Sequence, residues 1–287
     1  MTNSPPGTGI SASSRPPSEV DDIATAASPA EPASGPRTAA VRAYWEAQPC
    51  GTTTPGVSEQ PRMSEAWFAA VERDRYRAEP FVHSVAQFTR WSGKKVLEVG
   101  VGAGADHLQF ARAGAVLSGV DLTEAAIQIT RAHLAAHGLH SDLRRADAEH
   151  LPFDDASFDV VYSWGVIHHA PHPEAVIAEI HRVLRPEGTF LGMLYARRSV
   201  VTLKLWTRHG LMEGHPLTPF DRLVAEHMES PGTKAYTQSE VRKLFAGFSS
   251  CSTRRFATEW DRSRLPRRLA ALLPDAVGWF IAIEADR

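Results

Sequence analysis

The sequence predicts an α/β fold in which a largely parallel sheet carries helices on both faces. Three observations lead there: a short apolar run, Val96-Leu97-Glu98-Val99, that breaks into Gly100-Val101-Gly102-Ala103-Gly104; a second run, Ala115 to Val120, that closes on Asp121; and a sustained alternation of strand-like and helix-like segments. Such alternation means a parallel sheet, because each parallel return requires a crossover, usually a helix. In order, the expected elements are a strand to Val99, a helix from Ala105, a strand to Val120, a helix from Thr123, a strand near Leu143, a strand to Trp164, a helix from Pro173 and a strand to Tyr195. Thr123 followed by Glu124 marks a helix start, and Gly114 and Gly138 mark helix ends. Beyond them Ser239 to Phe245 reads as a helix, Phe248 to Phe256 as a strand, Arg267 to Leu273 as a helix and Gly278 to Ile283 as a final strand.

The flanks read differently. Residues 1–37 are dominated by Pro, Ser, Thr, Gly and Ala, with little to bury, and are expected to be a disordered tail without a signal-peptide core. Residues 38–92 carry Tyr44 and Trp45, then Trp67, Phe68, Val71 and Tyr76, at helical spacing, and are expected to form a helical cap. Ser64 is the expected N-cap of a second helical region, which runs past Pro80 to Phe88. Residues 93–287 are then the main domain, with a second cap inserted at about 199–236, where Pro216, Pro219, Pro231 and Gly232 interrupt an apolar pattern.

Composition bounds the function. A chain of 287 residues, 43% hydrophobic and 22% charged, is ordinary for a soluble protein, and no apolar run approaches the ~20 residues of a membrane helix. A net charge of −2 offers no general attraction to nucleic acid. Cys50 and Cys251 suggest neither a disulfide framework nor a zinc site, so a reducing, cytoplasmic setting is expected, with no membrane or nucleic-acid partner.

The glycine loop points to a nucleotide-like ligand. Glycines accept backbone angles closed to other residues and let a ligand approach the main chain, and Asp121, about twenty residues on, stands where an acid holds ribose hydroxyls. Gly100-x-Gly102-x-x-Ala105 alone also satisfies a dinucleotide pattern. The segments that follow decide against that reading: Leu143-Arg144-Arg145-Ala146-Asp147-Ala148-Glu149, Leu151-Pro152-Phe153-Asp154, Phe158 to Trp164, Val166-Ile167-His168-His169, and Ile180 to Phe190. In this order and spacing the chain resembles the class I S-adenosylmethionine-dependent methyltransferases of the type 11 small-molecule group, strongly from Lys95 to Arg197. The resemblance implies a Rossmann-like, doubly wound, seven-stranded sheet with its last strand antiparallel, S-adenosylmethionine as cofactor, and a small-molecule acceptor. It implies that Gly100, Gly102 and Gly104 form the loop against the cofactor, that Glu98 braces the loop or reaches the amino group, and that Asp121 accepts from the ribose. Leu122 would lie against the adenine, Asp147 and Ala148 would bind its edge, and the main chain around Ser163 would run along the cofactor. Where the family commonly has two glycines after the proline, this chain has Glu187-Gly188, which a type I turn would accommodate.

On the acceptor side, His168 and His169 follow the fourth strand and Tyr195 ends the fifth, at the edge of the sheet where ligands bind; these are the candidate catalytic residues, as base or orienting groups. Arg197 and Arg198 would suit an acidic acceptor, and Glu79, Tyr236 and Glu259 are further candidates. His168-His169-x-x-His172 lacks the partners of a metal site, so no metal is expected. Runner-up readings are a cofactor-binding protein without turnover and a methyltransferase acting on a protein. The oligomeric state and the methylated atom have no motif.

Overall fold

Val96, Leu97 and Val99 are all buried although successive side chains point to opposite faces of a strand, so the first strand has to be covered on both sides. The computed structural model, which describes residues 35–263 and 265–287, shows how. A helical leader of α1 (Pro36–Ala47), α2 (Pro55–Ser58), α3 (Glu65–Ala78) and α4 (Val82–Ala86) precedes β1 (Lys95–Val99), α5 (Ala105–Arg112), β2 (Val116–Asp121), α6 (Glu124–Ala135), β3 (Asp142–Arg145), β4 (Phe158–Trp164), α7 (Pro173–Val183) and β5 (Leu184–Tyr195). The chain continues through α8 (Val200–Leu205), a wider turn at Trp206–Leu211, α9 (Phe220–His227), α10 (Gln238–Leu244), β6 (Ser250–Phe256), α11 (Glu259–Arg262), α12 (Arg267–Ala271) and β7 (Phe280–Asp286).

The seven strands run β3-β2-β1-β4-β5-β7-β6. All neighbours from β3 to β5 are parallel, and β7 enters antiparallel between β5 and β6, which gives the expected doubly wound sheet. One face is packed by Leu97, Val99, Val161 and Ile180, among others. The other is packed by Val96, Phe110 and Tyr162 with Phe88 and Trp91 of the leader. The strand order reverses between β1 and β4, so the loops leaving those two strands part and open a crevice.

Three details differ from the sequence reading. Helix α1 opens at Pro36, inside the segment assigned to the tail, because proline suits a first helical turn whose N–H has no partner; residues 1–34 lie outside the described residues. The second helical region is not continuous: Glu79, at φ −133° and ψ 64°, leaves helical geometry because the ring of Pro80 disfavours it in the preceding residue. The Glu187-Gly188 turn is not type I. Glu187 sits at φ +65°, a left-handed conformation in which a side chain is strained, and it is pinned there by the terminal strand, since Glu187 N–H donates to the Arg287 carbonyl at 3.2 Å and Arg287 N–H to that of Gly188 at 2.9 Å.

Candidate active site

At the crevice, β1 gives way to a loop that only glycines can trace. Gly100 has φ +85°, and a Cβ there would lie 2.1 Å from Val166 Cγ2. Gly102 has φ +53° but meets nothing closer than Cys50, 3.7 Å away, so its bareness leaves room beside the main chain rather than relieving a clash. Gly104 differs: it is buried, and a Cβ would meet Thr130 Oγ1 at 2.9 Å, so it serves the turn and its packing, away from the open side of the loop.

Asp121 joins this loop to the next helix. Gly102 N–H donates to its Oδ2 at 3.1 Å, and Thr123 donates both its N–H, at 3.0 Å, and its hydroxyl, at 2.8 Å, to Oδ1. Burial raises the proton affinity of this carboxyl, and the Thr123 and Gly102 donors oppose that rise. The N-terminus of α6 beside it is capped twice, by Thr123 and by Glu46 of α1, whose two oxygens take the N–H groups of Glu124 and Ala125 at 3.0 Å each. On the next loop, Asp147 accepts from Glu149 N–H at 2.9 Å, and Leu122, Asp147 and Ala148 are half-buried along the same sheet edge. The buried Ser163 hydroxyl donates to the Val99 carbonyl at 3.1 Å, tying the ends of β4 and β1 together. Gly100, Gly102, Asp121, Leu122, Asp147 and Ala148 thus lie on successive loops at one end of the sheet.

Glu98 points inward instead. His107 Nδ1 lies 2.8 Å from Glu98 Oε2, while Nε2 lies 2.9 Å from Ser141 Oγ, whose hydrogen goes to the Leu117 carbonyl at 2.8 Å. Ser141 can then only accept, Nε2 carries the ring hydrogen, and the contact between Nδ1 and Glu98 requires one more proton. Burial raises Glu98 well above the ordinary carboxyl range and pushes His107 down to about 3, so the proton sits on the carboxyl and the pair is neutral. Glu98 thereby ties the end of β1 to α5.

The leader and the second cap close the other side. Cys50 reaches the loop at Gly102, and the Trp45 ring stands edge-on to His169 with centroids 5.1 Å apart. Cys50 keeps an exposed surface, while desolvation of its thiol first and the charge of Glu229 second push its proton affinity up. His168 and His169 are buried; the His168 ring lies 3.8 Å from that of Tyr195 and has no hydrogen-bond partner on either nitrogen among the described residues. The Tyr195 hydroxyl donates to Glu229 Oε2 at 2.9 Å. The three candidate catalytic residues therefore do come together, with Glu229 as a fourth member.

Beneath the loop, Arg75 of α3 donates from Nε and Nη2 to the two oxygens of Asp106, at 3.1 and 2.6 Å, and pairs with Glu79 at 2.5 Å. Tyr162 and Tyr76 also donate to Asp106, at 2.7 and 3.1 Å, and Trp164 Nε1 donates to Glu79 at 2.7 Å. This buried network clamps the leader to β4 and to the first turn of α5.

A family model described as a methyltransferase domain, of type 11, matches residues 97–192, from β1 through β5. Over that stretch the chain is similar to the type 11 class I methyltransferases. The chain is 40% identical over 134 residues to the phthiotriol/phenolphthiotriol dimycocerosates methyltransferase of Mycobacterium tuberculosis, covering 46% of this chain and 48% of that one. It is 32% identical over 125 residues to the ubiquinone biosynthesis O-methyltransferase of Pasteurella multocida, covering 40% of this chain and 50% of that one. The chain spans about half the length of the curated relatives it matches. In architecture it resembles a SAM-dependent methyltransferase of Thermotoga maritima, with a TM-score of 0.52 at 19% identity over 86% of this chain and 99% of that one. The family whose model matches these residues uses S-adenosylmethionine, and at the crevice stand an open loop at Gly102 and an acid at the end of β2.

Two of the further acceptor candidates, Arg197 and Glu259, are engaged elsewhere. Arg197 is held by Asp221 at 2.5 Å and Glu240 at 2.7 Å, so it stabilises the start of the cap and is not free for an anionic acceptor. The Arg198 carbonyl is taken by Arg255, which also bonds the Gly278 carbonyl. Glu259 pairs with Arg77 on the surface, and His172 stands exposed beside Glu174, away from the buried His168 and His169. Sequence reasoning missed Arg75, Asp106 and Glu229. Arg75 and Asp106 look like ordinary surface charges of their helices. The only trace of Glu229 is its place just before Pro231-Gly232, where a helix has to stop.

Proposed function

We propose that the chain binds S-adenosylmethionine in the crevice between β1 and β4 and transfers its methyl group to a small acceptor enclosed by the leader and by the segment from α8 to Tyr236. The observation that supports this most is the Asp121 carboxylate, which accepts from the Gly102 loop and from the start of α6 at once and still faces the crevice half-exposed. Its remaining lone pairs suit the ribose hydroxyls, the open main chain at Gly102 suits the methionine portion, and Leu122, Asp147 and Ala148 suit the adenine.

When bound, the sulfonium supplies an electrophilic methyl group and a neutral leaving group. What falls to this chain is alignment, which contributes on the order of 7–11 kcal/mol to such a transfer. Rigid placement is built in: Ser163 locks β4 to β1, the neutral Glu98–His107 pair backs the loop, and Glu46 ties α1 to the helix that follows Asp121. Trp45 and Cys50, carried by that leader, shield the crevice from water. The names of the relatives, a lipid methyltransferase and a ubiquinone-pathway O-methyltransferase, favour a small-molecule acceptor over a protein.

Calorimetric titration of Asp121→Ala tests the assignment. The variant is expected to remain folded and to bind S-adenosylmethionine at least about tenfold more weakly, a loss of about 1.4 kcal/mol; unchanged affinity would remove Asp121 from the site.

A further inference from the structure

The large apolar side chains left outside the core are not scattered. Among the described residues ten of them are exposed, and eight of those ten lie in two stretches, 203–217 and 260–277. The most exposed, Leu217 at 93% and Met212 and Leu272 at 78% each, stand out from the surface as single aliphatic groups.

The two stretches adjoin. Lys204 Nζ on α8 donates to the Trp260, Asp261 and Ser263 carbonyls at 2.7, 2.8 and 2.6 Å, which ties α8 to α11. Leu203, Thr207, Met212 and Leu265 share a groove of about 530 Å³. Trp206 Nε1 donates to the Pro216 carbonyl at 2.9 Å, which holds Leu217 beside the same turn. Past Leu265, Leu269 of α12 and Leu272 at its end are three residues apart and so share a helical face.

Positive charge gathers on this surface. The two stretches hold six Lys and Arg against three acids, in a chain whose net charge is −2. All three acids are engaged: Glu213 with His209 at 2.7 Å, the buried Asp261 with the Thr258 and Trp279 N–H groups at 2.8 and 2.9 Å, and Asp275 with the Ala257 N–H at 3.0 Å. Glu259, just outside, pairs with Arg77. Arg208 and Arg268 are exposed.

We infer that this face, made by α8, the turn after it and residues 260–277, docks on an anionic lipid bilayer. Charge averaged over the whole chain gave no sign of such a partner, because the excess is local. No helix among the described residues is long and apolar enough to cross a membrane, so the contact is with the surface. Clustered arginines beside apolar side chains are drawn to anionic headgroups. Separate protruding aliphatic groups suit a bilayer, which closes around each of them and whose hold grows with the apolar area taken in. A protein partner would need a shaped pocket for each, and leucine is under-represented among the anchors of such interfaces. On its inner side α8 packs Val201 and Leu205 with Tyr195, so docking sets the crevice one helix away from the lipid.

Cosedimentation of the full chain with vesicles tests this, using phosphatidylcholine alone and phosphatidylcholine mixed with phosphatidylglycerol. Saturable binding to the mixed vesicles, weak on phosphatidylcholine and falling with added salt, is expected. Arg208→Gln with Arg268→Gln should weaken it at least about tenfold, and Met212→Ser with Leu272→Ser also about tenfold. All four positions are exposed, so thermal melting should stay unchanged; if either pair unfolds the protein, the lipid preference and salt response of the parent chain still decide. Absence of binding to the mixed vesicles, equal binding to both kinds, or binding that either pair of substitutions leaves intact overturns the inference. A dimer in solution that Met212→Ser with Leu272→Ser dissociates also overturns it, since a second copy then covers the face. None of these readouts involves S-adenosylmethionine, so the result stands apart from the cofactor assignment.

Discussion

At the scale of residues, the site is built from groups whose protons are constrained by their neighbours. Ser141 forces the tautomer of His107 and so places a proton on Glu98. This outcome was not visible in the sequence, because it depends on a hydroxyl from a distant segment having its only hydrogen already engaged. Strain is the other residue-scale feature. Glu187 is a non-glycine at φ +65°, which costs on the order of 1–2 kcal/mol, partly offset in a glycine variant by the greater freedom glycine has when unfolded. Glu187→Gly is therefore expected to stabilise the fold by about 0.5–1 kcal/mol, seen as a raised urea midpoint with unchanged slope. A midpoint that stays or falls would mean that contacts of the glutamate outweigh its backbone strain.

At the scale of elements, legibility followed periodicity and punctuation. The strand to Val99, the helix opened by Thr123 and the strand ending at Tyr195 were plain, because continuous apolar runs and capping residues are local signals; Thr123 does cap α6, and Ser64 caps α3. The break at Glu79 was missed although Pro80 announces it, because the apolar spacing resumes on the far side. The glycine loop and Asp121 were legible because strand, turn and acid occur within one short stretch of chain. Arg75, whose guanidinium reaches across 31 residues to Asp106, and Glu229, which meets His169 across 60 residues, were not: a long-range polar contact leaves no periodicity. The arginine pair at Arg197-Arg198 misled for the same reason, since the acids that occupy Arg197 lie on α9 and α10.

At the scale of the whole molecule, one sheet with one reversal of strand order creates one crevice, and every residue assigned to the transfer lies along it. Burying histidines there has a global consequence. His169, ordinarily near 6.5, is pushed down to about 3, and His168 is lowered well below its ordinary value, in both cases chiefly by burial. Below about pH 6.5 the unfolded chain takes up protons that the folded chain refuses, so their contribution to stability is complete above that pH and is lost as pH falls toward about 3. The raised Glu98 works in the opposite direction. In His169→Gln, the fall in unfolding free energy from pH 6.5 to 4 should be shallower than in the parent by about 1.4 kcal/mol per pH unit; an identical slope would mean that His169 is not held neutral.

The central claim is that this crevice holds S-adenosylmethionine. Titrating the full chain in a calorimeter with S-adenosylmethionine, with its demethylated product and, in parallel, with NAD tests that claim most directly. Saturable binding of the first two and none of NAD is the predicted result; binding of NAD alone, or of none of the three, would contradict it.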